Sequence, residues 1–72
     1  MAEPNMEWVD SSNIEQIGYD EDEHELWVRF KSGDTYVYSD VPPATYDDIM
    51  RADSKGSYMN REIKPNYDCR RV

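Results

Sequence analysis

The 72-residue chain has one cysteine, one histidine and three glycines, and each scarcity closes off a class of protein. A single thiol, Cys69, permits no internal disulfide, so a reducing compartment and a cytoplasmic location are expected. The one histidine, His24, lies in the acidic run Asp20–Glu25. That run lacks the spacing and the glycine of an EF-hand loop, and no metal or cofactor is expected. A lone histidine in an exposed acidic loop, in a domain with little room for a water-excluding cleft, suits a general base poorly. No enzymatic activity is therefore expected, and Ser11, Ser12 and Asn13 are read as turn residues rather than as a nucleophile and its partners. The chain also lacks any long apolar run, which excludes a membrane-spanning helix and a membrane partner. The opening MAEPNMEW has neither a basic start nor an apolar stretch, so it does not read as a signal peptide.

Basic residues are scarce too: eight Lys and Arg against sixteen Asp and Glu, a net charge of −8 and a pI near 4.4. Such a chain repels nucleic acid at long range. The imbalance is not uniform. Residues 1–50 hold two basic and thirteen acidic side chains, and residues 51–72 hold six and three. Nine aromatics argue for a packed core, although a chain this short buries only about 60–65% of its unfolded surface. One domain over residues 1–72 is expected, with residues 1–6 and 68–72 as loose ends.

Three strands are legible. Ile14–Tyr19 is bounded by Ser11–Asn13 and Asp20. In Leu26–Lys31, Leu26, Val28 and Phe30 alternate with Trp27, Arg29 and Lys31. Thr35–Ser39 carries Tyr36-Val37-Tyr38. The turn Lys31-Ser32-Gly33-Asp34 decides the register. A type I turn with Gly33 in a left-handed bulge position sets Phe30 against Asp34, Val28 against Tyr36 and Leu26 against Tyr38. This arrangement collects the apolar residues and both tyrosines on one core face, which excludes base stacking on the tyrosines. It leaves Trp27, Arg29 and Val37 on the other face, exposed or covered by the Met6–Val9 segment. A one-residue slip reverses the result.

Two short helices follow. Pro43 suits a first helical turn, Tyr46, Ile49 and Met50 form an apolar stripe, and Arg51 suits the last turn, so the helix should end near Ala52. Ser54 is a plausible N-cap for a second helix from Gly56 to about Ile63, with Met59 and Ile63 inward. Pro65 stops it. The expected architecture is α+β: a three-stranded antiparallel β-meander with two short C-terminal helices packed on one face.

The string SSNIEQIGYD, then LWVRF with GD and YVY after it, then Val41-Pro42 before a tyrosine-bearing helix, then SKGSYMNREIK and Tyr67, resembles the KTSC domain over roughly Val9–Tyr67. Its Y-x-Y element matches Tyr36-Val37-Tyr38. The family is a module found appended to some lysyl-tRNA synthetases and as free-standing bacterial or phage proteins. The resemblance implies RNA as a partner, tRNA or single-stranded, and no aminoacylation, because the synthetase's catalytic domain is missing.

Two surfaces qualify as sites. The first is basic: Lys55, Tyr58, Arg61 and Lys64 along one helix edge, extended by Arg70 and Arg71, a composition suited to phosphate contacts and base stacking. Ser54-Lys55-Gly56-Ser57 lacks the two glycines and the ending of a nucleotide-binding loop and reads as a capped turn. The second is the sheet face with Trp27, Arg29 and Val37, whose exposed tryptophan beside arginine would mark the centre of a protein interface or homodimer.

Overall fold

The computed structural model describes residues 3–72. Residues 1 and 2, part of the expected loose N-terminal end, lie outside the described residues.

The three expected strands form at β2 (Ile14–Asp20), β3 (Glu25–Phe30) and β4 (Thr35–Tyr38). The sheet has five strands rather than three. Met6–Trp8 adds β1 outside β2, and Cys69–Arg71 adds β5 outside β4, giving the antiparallel order β1-β2-β3-β4-β5. Each added strand is three residues long, too short to show alternation, and is specified only by pairing with a strand distant in sequence.

The bulge register holds. Leu26 pairs with Tyr38, Val28 with Tyr36 and Arg29 with Thr35. Gly33 has φ +103° and donates its N–H to the Phe30 carbonyl at 2.9 Å, while the Phe30 N–H donates to the Asp34 carbonyl at 2.9 Å. The positive φ at the turn is open to glycine at no steric cost, and it places Leu26, Val28, Tyr36 and Tyr38 on one face.

That face is covered by α1 (Pro43–Arg51), α2 (Lys55–Tyr58) and a five-residue π-helical turn, Met59–Ile63, that continues α2. Pro43 begins α1 and Ala52 caps it. Ser54 caps α2, its side chain accepting from the Ser57 N–H at 3.3 Å. Ile49, Met59 and Ile63 close onto Ile14, Ile17, Leu26, Val28, Tyr38 and Val41 to make the core. Tyr19 stacks on Tyr46 with ring centroids 5.2 Å apart.

The opposite face is not open. Trp27 is 8% exposed and Val37 fully buried. The segment Glu3–Asn5 runs along this face, tied by an ion pair from Glu3 to Arg29. It passes so close to Gly18 that a Cβ there would lie 2.8 Å from the Asn5 carbonyl oxygen and 2.5 Å from the Met6 sulfur. Gly18 and Trp27 are cross-strand partners, so the segment passes beside the indole. Of the two alternatives for this face the exposed Trp27 is corrected, and the covering N-terminal chain is present at residues 3–6 rather than 6–9. The side chain that does stand out is Trp8, 74% exposed.

Gly18→Ala is expected to lift the N-terminal segment and cost about 1–3 kcal/mol, the usual range for forcing an added methyl into a packed site. Urea denaturation would register the loss, and a red shift of Trp27 fluorescence would locate it. An alanine variant as stable as the parent contradicts the close approach.

Candidate nucleic-acid interface

The residues expected to form one basic stripe are divided among three places, and local geometry explains the division. In the second helix the Lys64 N–H donates to the Met59 carbonyl at 2.8 Å, an i→i+5 bond. This wider turn rotates the residues after it away from α-helical spacing. Arg61 stays beside Tyr58, its guanidinium carbon 5.8 Å from the ring centroid, and bonds Glu62 at 3.1 Å. Lys64 turns toward the sheet and lies 5.7 Å from the Phe30 ring centroid.

Lys55 is drawn into local structure: its ammonium donates to the Ala52 carbonyl at 3.1 Å. The tight packing of Gly56 against Asn13, whose Oδ1 would be 2.6 Å from a Cβ at that position, fixes α2 against the loop before β2. Ser54 and Ser57 bond each other. Tyr58, Arg61 and Arg51 line a recess that also contains Asp48, Asp53 and both serines. Its mixed charge is a weak invitation to an anion.

Arg70 and Arg71 part company because neighbouring residues of a strand point to opposite faces. Arg70 is level with Val37 and donates to Glu25 Oε2 at 3.1 Å on the face away from the helices. Arg71 is level with Tyr36, on the helix face. Arg29 is likewise engaged, donating to Gln16 at 2.7 Å and Thr35 at 3.1 Å as well as meeting Glu3.

What gathers instead is a groove beside β4 on the helix side. Two adjoining recesses of about 440 and 340 Å³ share Phe30, Tyr36 and Lys64. The first continues over Lys31, Ser32 and Asp34 to Ser12 and Asn13, and the second over Tyr38 and Cys69. Phe30 and Tyr36 meet nearly perpendicular, 75° between planes and 5.8 Å between centroids. Both rings are half-buried against the core. Tyr36 therefore points to the helix side as expected yet is not sealed there, because the packing that buries Tyr38 stops short of Tyr36, and the reading that excluded stacking on it does not hold. Phe30, Lys31 and Asp34 are groove residues that sequence reasoning missed. No local signal marks them, because the groove exists only once the π-helical turn and β5 close beside the β3–β4 turn.

Asp34 is the one carboxylate among the described residues that lines the groove, and a larger acidic group lies elsewhere. Glu7, Asp20, Glu21 and Asp22 surround the Tyr19–Tyr46 pair. Among the described residues no group of three or more His, Cys, Asp or Glu side chains is placed to hold a metal ion. The loop Glu21–His24 and the turn Lys31–Asp34 sit at opposite ends of β3. Its five steps of about 3.4 Å separate them by about 17 Å, roughly twice the screening length of about 8 Å at physiological salt.

Burial dominates the tyrosine titrations. It pushes Tyr38 up to about 12, with the Cys69 thiol and Tyr36 adding to the rise. It pushes Tyr46 up to about 12 as well, helped by the bond from its hydroxyl to Glu7 at 3.0 Å. Tyr58 is raised by burial, then by Asp48 and Glu62, with Arg61 pulling the other way.

The family model for the KTSC domain matches residues 10–67, more than half of the chain, and the chain belongs to that family. A protein of Tsukamurella paurometabola is 45% identical over 62 residues, covering 86% of this chain and 92% of the relative. A lysine–tRNA ligase of Nostoc punctiforme is 36% identical over 58 residues, which cover 81% of this chain and 10% of the ligase. The crystal structure of a KTSC domain protein from Yersinia pestis superposes with a TM-score of 0.89 at 38% identity, covering 94% of this chain and 96% of that one.

The raised tyrosines make a pH prediction. Their neutral forms are favoured by the fold, so the unfolded chain releases these protons near 10 while the folded chain holds them. The corresponding stability is intact below about pH 10 and is lost as pH climbs towards 12. Melting temperature should fall across that window, and Tyr46→Phe should flatten the fall. Absorbance titration of the native protein in which all six tyrosines ionise near 10 contradicts this.

Proposed function

We propose that this KTSC domain protein is a small non-enzymatic binding module for single-stranded RNA, and that the groove beside β4 is where the strand lies. One observation carries the reading: in a chain of net charge −8, Lys31 and Lys64 line the groove around the half-buried Phe30 and Tyr36, with Arg71 level with Tyr36 on the same face. Aromatic rings for bases and cations for phosphates are the two components of single-strand recognition. Its distance from the acidic loop weakens the objection from net charge, since repulsion between exposed charges decays within a screening length, and one carboxylate, Asp34, lines the groove itself. A relative that is a lysine–tRNA ligase supports an RNA ligand. A lone exposed thiol suits action in the cytoplasm, and no helix among the described residues is long and apolar enough to cross a membrane.

Fluorescence anisotropy with a labelled, unstructured RNA decamer tests the proposal. Affinity is expected in the range of about 1–100 μM, falling with salt at a log–log slope of about −2 for three single-strand phosphate contacts. Tyr36→Ala should cost about 1–3 kcal/mol of binding, the worth of one stacked base. Lys64→Ala and Arg71→Ala should each make the salt slope shallower by about 0.7. Arg70→Ala, altered on the far face, should bind like the parent. Absence of binding at low salt, or equal losses from Arg70 and Arg71, overturns the proposal.

A second reading is favoured by Trp8. It is 74% exposed and level with Gln16, on the face that holds Trp27. A protein partner or second copy would centre on Trp8 rather than on Trp27, because large exposed aromatics anchor interfaces. Sedimentation velocity of the parent and Trp8→Ala is expected to show a concentration-dependent dimer only in the parent. A parent that is monomeric across the concentration series removes the homodimer.

A further inference from the structure

We infer that the groove reads the edge of the base it holds, through Asp34, and takes bases bearing an exocyclic amine in preference to uracil. The inference rests on the single-strand reading above and assigns it a specificity. Asp34, Tyr36 and Tyr38 alternate onto the helix side, and Asp34 lines the same recess as Phe30, Lys31, Tyr36 and Lys64. Its backbone carbonyl is used by Phe30. Its carboxylate takes part in no hydrogen bond or ion pair among the described residues, as is true of most of the exposed carboxylates, but it is the one that lines the groove.

Arg71 is level with Tyr36, so it is placed to hold phosphate while the base stacks on Tyr36, and Lys31 and Lys64 line the recess that also holds Asp34. The lysines there can meet phosphate, whereas the Asp34 carboxylate cannot and is left for the base edge. An ionised carboxylate only accepts hydrogen bonds. The cytosine N4 amine, the adenine N6 amine and the guanine N1–H with its N2 amine all donate. Uracil keeps one donor, N3–H, but it is flanked by two carbonyl oxygens, so a carboxylate that reaches it also faces a carbonyl lone pair to lone pair and holds uracil less well.

Cytosine against uracil is the decisive comparison, because the two pyrimidines are matched in size and stack weakly. One correct base-edge pairing is worth about a tenfold preference, within the usual range of discrimination. Titrations of the full chain with hexacytidylate, hexaadenylate and hexauridylate should place the first two about tenfold tighter than the third. Asp34→Ala removes a negative charge from the groove and is expected to strengthen all three, so the readout is the ratio: cytidylate and uridylate should come within about twofold. The backbone bond between residues 30 and 34 survives the substitution, and an unchanged thermal midpoint would verify the fold. Equal binding of the pyrimidine hexamers by the parent overturns the inference and leaves the single-strand reading standing. A preference that persists in Asp34→Ala overturns the role of Asp34. Failure of all three hexamers to bind overturns both.

Discussion

The register between β3 and β4 is the constraint on which the rest of the molecule depends. Gly33, at φ +103°, closes the turn that sets Val28 against Tyr36 and Leu26 against Tyr38. Because side chains alternate, this pairing directs an apolar set to the helices and leaves the intervening residues for the other face, and a slip of one residue would exchange them. The core then has a continuous apolar floor for Ile49, Met59 and Ile63. The same pairing brings Tyr36 to the groove beside Phe30 and aligns β4 so that β5 can place Arg71 level with Tyr36. Core and groove are two consequences of one turn.

Charge is arranged along the sheet's long direction. The carboxylates near the Asp20 turn sit at one end of β3 and the lysines of the groove at the other. Net charge describes the molecule at distances beyond its own size. At contact range the proposed ligand would meet Lys31, Lys64 and Arg71 around an aromatic pair, with the Asp34 carboxylate also in the groove, and the acidic loop about two screening lengths away would contribute little. The acidic body still matters for encounter: it slows approach of an anion from other directions and favours partners that reach the groove directly.

The sequence was informative wherever a rule acts over a few residues. Alternation in Leu26–Phe30, the glycine at the bulge, Pro43 before the Tyr46-Ile49-Met50 stripe and Ser54 as a cap each specify local geometry, and the structure has all of them. What escaped depends on distant pairing. β1 and β5 are three residues each and exist because β2 and β4 offer free edges. Trp27 is buried beside Gly18, where residues 3–5 cross a position that lacks a side chain. Lys64 was assigned to the Arg61 edge by α-helical spacing, and the i→i+5 bond from Lys64 to Met59 sends it to Phe30 instead. Of the six basic-site residues, only Lys64 and Arg71 fall beside the groove. Its other members come from the β3–β4 turn, from Phe30, Tyr36 and Tyr38, from Cys69 of β5 and from Ser12 and Asn13 before β2.

The claim that joins fold to function is the location of the ligand. Backbone amide shifts of the isotopically labelled protein, followed while an unstructured RNA oligomer is added, would test it most directly. Saturable shifts concentrated at Lys31, Asp34, Tyr36, Lys64 and Arg71, with Trp8, Trp27 and Arg70 unmoved, are the predicted result. Shifts centred on Trp8 and Arg70, or none anywhere at saturating RNA, would contradict the account.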